Sequence, residues 1–416
     1  MKNQEVFDNA RKACRDIIHL TNDQVVKILE QLAAETTRST DHLIMENIKD
    51  LDRMSTDDPK FDRLKLTSER IGDIVADILN VSKLNNPLGE IIEEKTLKNG
   101  LHLKKIRVPL GVVGIIYEAR PNVTFDVFSL CLKSGNVCLL KGGSDAHFSN
   151  MAIIGILHRV LKGFDVNPNI VQLLPPDRES TAEMMNATGY IDIIIPRGSQ
   201  GLIDFVRHNA RVPVIETGAG IVHTFIDQSA DLTMAKAIIT NAKLRRVSVC
   251  NALDCLIIHS SWLSDLPFLC EDLARGDVEV FADEKSYKVL KESYPANLIF
   301  PAQKAHFGTE FLAKKLSIKT VRNIEEALDH IAEYSSKHSE AIISEDQDMI
   351  NRFSKEVDAA VVYANTSTAF TDGAQFEMGA EIGISTQKLH ARGPMALKEL
   401  TSYKWIVRGQ GQIREK

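Results

Sequence analysis

The sequence predicts an α/β protein with two lobes and a small β-ribbon. Its 416 residues exceed the size at which one hydrophobic core usually stops growing. Amphipathic helical patterns come first along the chain, and short apolar runs that alternate with helix-length stretches follow them. Two alternating segments flank Asn99-Gly100, a strong hairpin-turn pair, and these segments predict the ribbon.

The N-terminal part, residues 5 to 85, predicts a layer of amphipathic helices. Apolar side chains recur there at helical spacing among many charges, as in Val25, Ile28 and Leu32. The ribbon follows over residues 89–108. Because an isolated hairpin is marginally stable in water, we expect it to lie on another surface of the molecule or on a partner subunit.

From Val108 onward the pattern predicts parallel sheets with crossover helices. The first series of predicted strands covers residues 110–116, 137–140, 170–174, 191–195 and 212–216. The second series covers residues 253–258, 298–300, 318–321, 341–343 and 359–363. Two series of this kind indicate two α/β lobes, with a boundary near residues 217 to 230.

Composition and charge argue against several classes of protein. Hydrophobic residues make up 44% of the chain and charged residues 25%, the balance of an ordinary globular protein. A formal charge of −6 with dispersed cations argues against a nucleic-acid partner. No segment has the character of a signal peptide or a membrane span, so we expect a cytoplasmic protein without a membrane partner. The histidines show no metal-ligand spacing, and we expect no metal.

Cys250 is the candidate nucleophile among the six cysteines. The other five lie inside apolar runs, where free cysteine behaves as a small hydrophobic residue. Cys250 instead follows a cationic stretch that contains Arg245 and Arg246. Nearby guanidinium groups favour the thiolate, which is the nucleophilic form. Taken alone, a structural cysteine is the more common explanation, so the assignment depends on the other motifs.

Asn122 is the candidate donor for an oxyanion. A cysteine that attacks an acyl group needs a hydrogen-bond donor aimed at the developing charge, and an amide placed after a strand is suitable. Pro121 turns the chain out of the predicted strand, and Thr124 is placed to cap the helix that follows. The alternative is a turn asparagine that makes only local hydrogen bonds.

Two glycine-bearing loops are candidates for binding a cofactor. They are Lys141-Gly-Gly-Ser144 and Pro196-Arg-Gly-Ser-Gln-Gly201, each between a predicted strand and a helix. Glycine permits close backbone approach, and a helix N-terminus favours phosphate, although ordinary strand-to-helix turns have a similar composition. Glu216 ends a further predicted strand, where it is either a general acid or base or a solvated carboxylate.

Seven motifs, taken in chain order, carry a resemblance to a known family. They are Tyr117-Glu-Ala-Arg-Pro-Asn-Val-Thr124, Leu132-Lys-Ser-Gly-Asn136, Lys141-Gly-Gly-Ser144, Ile195-Pro-Arg-Gly198, Glu216-Thr-Gly-Ala-Gly220, Val249-Cys-Asn-Ala252 and Ile382-Gly-Ile-Ser-Thr-Gln-Lys-Leu-His-Ala-Arg-Gly-Pro394. Together they resemble the aldehyde dehydrogenase superfamily, most closely its glutamate-5-semialdehyde dehydrogenase branch. The resemblance covers nearly the whole chain. It implies a Rossmann-type cofactor domain, an α/β catalytic domain and an oligomerisation ribbon.

The resemblance implies a reaction and its catalytic residues. The reaction is the NADPH-dependent reduction of L-glutamate 5-phosphate to glutamate 5-semialdehyde, with release of phosphate, in proline biosynthesis. Cys250 matches the nucleophile that forms a thioester, Asn122 the oxyanion donor and Glu216 the general-base position of the superfamily. Arg120 is a candidate for reading the charged head of the substrate.

The resemblance also implies the contacts to NADPH or NADP⁺. Lys141 and Ser144 resemble residues on the adenosine side of the cofactor. Gly198 and Ser199 fall where the pyrophosphate and nicotinamide pass, and Glu310 resembles the glutamate that holds the nicotinamide ribose.

The implied domain layout assigns residues 1–86 and 109–225 to cofactor binding and residues 226–394 to catalysis. Residues 87–108 and 395–416 resemble the strands that superfamily members exchange between subunits, so we expect a homo-oligomer. An association with glutamate 5-kinase is a further implied partner.

Three other interpretations remain open from the sequence. An enzyme that oxidises another aldehyde to its acid with NAD(P)⁺ would share the same residues but would not depend on phosphate. A catalytically silent scaffold would be expected to lose the nucleophile or the oxyanion donor, and both Cys250 and Asn122 are present. A thiol hydrolase would need a histidine partner that spacing does not identify, and it would leave the cofactor-like loops unexplained.

Overall fold

Residues 2–58 and 60–414 are described by the structure, a computed structural model. The chain divides into two units. The first comprises Met1–Thr217, Glu377–Gly383 and Pro394–Lys416, and the second comprises Gly218–Phe376 and Ile384–Gly393. The division falls at Thr217, whereas the predicted cofactor domain extends to residue 225. Which unit serves which function stays a prediction.

The first unit begins with the predicted amphipathic helices. They are α1 (Gln4–Ile17), α2 (Asn22–Arg38), α3 (Thr40–Leu51), α4 (Phe61–Leu64) and α5 (Ser68–Lys83). A capping box between Thr21 and Gln24 satisfies N–H groups at the start of α2. The apolar face of α2, with Val25, Ile28 and Leu32, is buried as its spacing predicts.

The predicted ribbon is confirmed as an antiparallel pair, β1 (Ile91–Thr96) and β2 (His102–Pro109). Gly100 has a φ of +86° in the connecting turn, a conformation that glycine adopts without steric cost.

A four-stranded parallel sheet forms the centre of the first unit. Its strands are β3 (Val112–Tyr117), β4 (Val137–Gly142), β5 (Val171–Leu173) and β6 (Ile193–Arg197), in the order β5-β4-β3-β6. The helices that follow these strands are α6 (Asn122–Lys133), α7 (His147–Gly163), α8 (Arg178–Asn186) and α9 (Gln200–Asn209). All residues of β3 and β4 are buried, which explains why both strands read as continuous apolar runs.

The strand predicted at residues 212–216 is wrong. This segment makes a single bridge between Val214 and Ile194 beside β6. Pro213 lies in the middle of it and has no N–H group, so a regular ladder of hydrogen bonds cannot form.

The second unit contains a seven-stranded parallel sheet in the order β10-β9-β11-β8-β7-β12-β13. Its strands are β7 (Val222–Ile226), β8 (Leu253–His259), β9 (Glu279–Ala282), β10 (Ile299–Pro301), β11 (Lys315–Val321), β12 (Ser339–Ile343) and β13 (Val361–Ala364). Its helices are α10 (Leu232–Leu244), α11 (Leu266–Arg275), α12 (Glu284–Leu290), α13 (Ile324–Tyr334) and α14 (Gln347–Glu356). Two buried apolar clusters make up its core.

Three short segments complete the chain. β14 (Gly383–Ser385) and β15 (Gly393–Met395) form a two-stranded sheet. β16 (Thr401–Arg408) then pairs antiparallel with β2, so the ribbon becomes a three-stranded sheet in the order β1-β2-β16. Among the described residues, no helix has the length and apolar character needed to cross a membrane.

Candidate active site

Cys250 lies in the turn between α10 and β8 and is partly exposed. All six cysteines are free thiols, and only Cys14 among the other five is also half-buried. Asn251 fixes the turn to the core. Its buried amide donates hydrogen bonds to the carbonyl oxygens of Ala369 and Thr371, at 3.3 Å and 3.0 Å. The predicted nucleophile is therefore accessible on a turn that is fixed to the core.

Gly220, just before β7, brings Cys250 and Glu310 to one place. A Cβ atom on Gly220 would lie 1.7 Å from the carbonyl oxygen of Cys250, so only glycine permits this approach. The N–H of Gly220 donates to Glu310 Oε1 at 2.8 Å. Cys250 and Glu310, which were predicted from separate motifs, therefore both contact Gly220. Gly220 itself was predicted only as part of the motif Glu216-Thr-Gly-Ala-Gly220.

A buried ion pair supports this arrangement. Lys243 Nζ lies 3.7 Å from Asp254 Oδ1, and both side chains are nearly inaccessible to solvent. Asp254 also accepts the N–H of Phe311, the residue after Glu310, at 3.1 Å. Burial raises the pKa of Asp254 to about 7, although Lys243 opposes this shift. Asp254 therefore ties the Glu310 loop to β8, while Lys243 ties β8 to α10, and no spacing in the sequence predicts either contact.

In the first unit, Asn122 is the first residue of α6, and its Nδ2 donates to Asp126 Oδ2 at 2.9 Å. Burial, followed by repulsion from Asp77, raises the pKa of Asp126 to about 7, while Asn122 and Arg197 lower it. An amide nitrogen carries two hydrogens, so Asp126 takes one and fixes the direction of the other. Asp126 was missed because a carboxylate one helical turn after Asn122 has no distinctive pattern.

The predicted cap at Thr124 is wrong. Pro121 is the residue before the first turn of α6, and its side chain makes no capping hydrogen bond. The hydroxyl of Thr124 instead donates to Asn150 Oδ1 at 3.1 Å and lies 2.7 Å from the hydroxyl of Tyr117. Thr124 therefore ties α6 to β3 and α7.

The loop with Gly198 and Ser199 is tied to Glu118. The N–H of Ser199 donates to Glu118 Oε2 at 3.2 Å, and the hydroxyl of Ser199 accepts the N–H of Leu202 as the cap of α9. The N–H of Ser199 is a donor that a cofactor phosphate at the start of α9 would use. Glu118 belongs to the same motif as Arg120 and Asn122, so two sequence motifs meet here.

Lys141 and Ser144 lie at the carboxyl end of β4, but their environments differ. Lys141 is 5% exposed, its Nζ donates to the carbonyl oxygen of Gly142 at 3.0 Å, and burial lowers its pKa. Ser144 lines a pocket of about 290 Å³ together with Arg53, Lys60 and Asp145. Lys60 Nζ lies 3.8 Å from Asp145 Oδ2. Arg53 and Lys60 come from a distant N-terminal segment, so no sequence pattern indicates that they belong to this pocket.

Glu216 follows the irregular segment around Pro213 rather than a strand. Its Oε2 lies 3.5 Å from Arg207 Nη1, a long ion pair between a half-buried carboxylate and an exposed guanidinium. The next residue, Thr217, donates its hydroxyl hydrogen to the carbonyl oxygen of Pro196 at 2.8 Å. These contacts tie Glu216 to α9 and β6 within the first unit.

Comparison with known proteins identifies the family. Residues 2–272 match the model of the aldehyde dehydrogenase family. Gamma-glutamyl phosphate reductase from Bacteroides fragilis is 57% identical over 415 residues, which is 100% of both chains. The protein of the same name from Pelodictyon phaeoclathratiforme is 60% identical over 404 residues, which is 97% of each chain. The crystal structure of gamma-glutamyl phosphate reductase from Thermotoga maritima matches with a TM-score of 0.94 at 40% identity and covers 99% of both chains.

Proposed function

This chain is an oxidoreductase of the aldehyde dehydrogenase family, in its gamma-glutamyl phosphate reductase branch, and we propose the reaction that it catalyses. It reduces L-glutamate 5-phosphate to glutamate 5-semialdehyde with NADPH and releases phosphate, as a step of proline biosynthesis. The observation that carries the proposal is the accessible Cys250 turn, packed on Gly220, whose N–H is held by Glu310.

Cys250 supplies the nucleophile in the proposed mechanism. Its thiolate attacks the acyl carbon, which forms a C–S bond and leaves a negative charge on the former carbonyl oxygen. Asn122 Nδ2 and the N–H of Cys250 donate hydrogen bonds to that oxygen. The carbonyl then re-forms, the bond from carbon to the phosphate oxygen breaks, and a thioester remains on Cys250.

The second half of the reaction returns the enzyme to its starting state. When bound, NADPH supplies the hydride that reduces the thioester carbon to the aldehyde level. The Cys250 thiolate then leaves and the aldehyde is released. No water is consumed, so Glu216 is not required as a water-activating base. Its assigned role is to orient groups or to move a proton.

Five residues are assigned to hold NADPH. Arg53 and Lys60 lie beside Ser144, but Asp50, Asp58 and Asp145 line the same pocket, so its lining carries no excess of positive charge. Lys141 and Ser144 are assigned to the adenosine side, and the proposed preference for NADPH over NADH rests on the family resemblance. Gly198 and Ser199 are assigned to the middle of the cofactor, and Glu310 to the nicotinamide ribose.

The proposal also covers the binding of the substrate and its delivery to the enzyme. Arg120, two residues before Asn122, is assigned to the charged head of the substrate, because a guanidinium binds carboxylates in a two-pronged geometry. An acyl phosphate hydrolyses readily in water, so direct transfer from glutamate 5-kinase would protect the substrate.

The proposed reaction is tested most sharply in reverse. Purified protein receives glutamate 5-semialdehyde, which equilibrates with its cyclic imine, and NADP⁺, with or without inorganic phosphate. Microscopic reversibility makes the forward leaving group the reverse nucleophile. NADPH should therefore accumulate over many turnovers only with phosphate. Without phosphate, at most one equivalent per Cys250 should form.

Three controls accompany this assay. Cys250→Ala should give no NADPH in either arm, while Cys14→Ala, which changes the other half-buried cysteine, should behave as the parent. Replacing NADP⁺ by NAD⁺ should lower the rate, and equal or faster turnover with NAD⁺ would defeat the NADPH assignment. Sustained turnover without phosphate that yields glutamate would contradict the reductase and restore Glu216 as a base.

A further inference from the structure

His223, Cys255 and His330 form a buried cluster in the second unit. The register of the neighbouring strands β7 and β8 places His223 beside Cys255, and His330 comes from α13. Cys255 Sγ lies 3.6 Å from His330 Nε2, and one potential ligand atom of each residue lies within 4.8 Å of the others. The first two side chains are fully buried and His330 is 6% exposed.

The Nδ1 atom of His223 faces a buried carboxylate. Its Nδ1 lies 3.0 Å from Glu340 Oε2, which also accepts the N–H of His223, and the hydroxyl of Ser335 donates to the other oxygen of Glu340. A carboxylate that accepts from Nδ1 leaves the lone pair on Nε2. That Nε2 atom is buried and has no hydrogen-bond partner among the described residues. An orphan lone pair inside a core needs an explanation.

The other two side chains have the chemistry of ligands for a soft cation. His330 presents its Nε2 atom 3.6 Å from Cys255 Sγ, and an imidazole nitrogen is a common zinc ligand. A bound cation would replace the proton of the Cys255 thiol, because the thiolate is the form that ligates metals. At many metal sites, a ligating histidine donates its other ring N–H to a carboxylate. The contact between His223 Nδ1 and Glu340 has this arrangement.

We propose that His223 Nε2, Cys255 Sγ and His330 Nε2 bind one thiophilic metal ion, with Zn²⁺ as the best fit. Zinc bonds of about 2.3 Å to sulfur and about 2.0 Å to nitrogen, at a tetrahedral angle, place the two ligand atoms about 3.5 Å apart. The Cys255–His330 distance of 3.6 Å matches this value. A mixed thiolate and imidazole set favours zinc over magnesium or calcium.

A hydrogen bond from the Cys255 thiol to His330 explains the same distance without a metal, but it leaves His223 Nε2 unexplained. The ligands come from two strands and a helix, which is why the sequence spacing predicted no metal. Cys255 follows Cys250 by five residues, and His223 follows Gly220 by three. The metal would therefore fix β7 to β8 below the Cys250 turn. This structural role does not depend on the proposed reaction.

The test is metal content. The full chain is produced in zinc-supplemented medium, purified without chelators and analysed for zinc by mass spectrometry, and a second batch is produced with Co²⁺. We expect about one metal ion per chain and, with cobalt, a sulfur-to-cobalt absorption band. Cys255→Ser should abolish the band and lower the metal content at least tenfold. Glu340→Gln should weaken zinc binding about ten- to hundred-fold.

Matched controls separate this site from other thiols. Cys270→Ser changes a buried cysteine on α11, and Cys250→Ala removes the nucleophile, so both should keep the metal and the cobalt band. Folding of each variant is checked by circular dichroism. A parent protein without stoichiometric zinc or a cobalt–thiolate band would overturn the proposal, and so would equal metal content in a folded Cys255→Ser variant.

Discussion

The amide of Asn122 is held by a carboxylate that titrates near neutrality. The pKa of Asp126 is raised to about 7 by burial and by Asp77, against the opposing effects of Asn122 and Arg197. Above this pH the ionised carboxylate only accepts hydrogen bonds, so it fixes the Nδ2 side of the amide. Below this pH the neutral carboxylic acid of Asp126 also donates a hydrogen bond, so its charge no longer fixes the orientation of the Asn122 amide. The rate of acyl transfer should therefore rise as the pH passes through about 7.

Two substitutions of Asp126 test this dependence. Asp126→Asn is neutral at every pH and both donates and accepts, like the protonated acid, so kcat should stay near the low-pH value of the parent and lose the component with a pKa near 7. Asp126→Leu removes the acceptor, and kcat should fall about ten- to hundred-fold with little change in KM, because the oxyanion donor is misdirected. The measurement is kcat and KM from pH 5.5 to 9. A parent-like profile for Asp126→Asn would contradict the role.

Stability gives an independent check with a defined sign. The folded pKa of Asp126 lies above its unfolded value, so the folded state binds more protons between about pH 4 and about pH 7. This group should therefore lower the free energy of unfolding as pH rises through that window. Asp126→Asn should remove this loss. Because Asp254 titrates in the same range, the difference between parent and variant is the quantity to measure.

Candidate site residues could be proposed from the sequence where a motif spans adjacent positions. Cys250 lies on an accessible turn, and its role as the nucleophile stays a prediction. The partners that position such residues were not predictable, because Lys243 and Asp254 meet only after α10 and β8 have packed. The same holds for Arg53 beside Ser144. Long-range contacts of this kind leave no periodicity in a single sequence.

At the scale of elements, the segment before β7 packs closely against the turn before β8. This close approach is possible only because Gly220 has no side chain. A Cβ atom on Gly220 would meet the backbone of Cys250, which cannot rotate away. Gly220→Ala should displace the Cys250 turn, lower kcat about 100-fold and cost about 1–3 kcal/mol of stability. The measurements are steady-state kinetics and urea unfolding.

A second glycine provides the matched control. Gly72 lies inside α5, and a Cβ atom there would meet nothing within 4 Å. Gly72→Ala should keep full activity and gain about 1 kcal/mol of stability, the usual difference in helix propensity. If Gly220→Ala retained parent-like kinetics, the close approach would have no bearing on catalysis.

Most elements followed from apolar patterns, and the exceptions have physical reasons. The segment at residues 212–216 is apolar enough for a strand, but Pro213 prevents the ladder. β7 was missed because His223 and Thr224 are polar, yet both are fully buried. β9 has only four residues, too few for a pattern to stand out. Sequence patterns therefore predict strands well only when burial and apolarity coincide.

For the whole molecule, the sheet β1-β2-β16 is the feature that points beyond a single chain. Within the described part of the chain, β1 and β16 each pair only with β2, so each has an outer edge without a neighbouring strand. Every residue of β1 is exposed, and Tyr403, Trp405 and Val407 are 53%, 42% and 55% exposed on β16. Open edges and exposed rings of this kind favour association with another copy.

We expect a homo-oligomer formed through this sheet. Light scattering at micromolar concentration should give a mass that is a multiple of one chain. Tyr403, Trp405 and Val407 alternate along β16, so they share one face of the strand, and the pair Tyr403→Glu and Trp405→Glu should shift the protein toward the monomer. Lys404→Glu changes the charge on the opposite face and should leave the mass unchanged. A monomeric mass for the parent would overturn this expectation, and an unchanged mass for the double variant would move the interface away from β16.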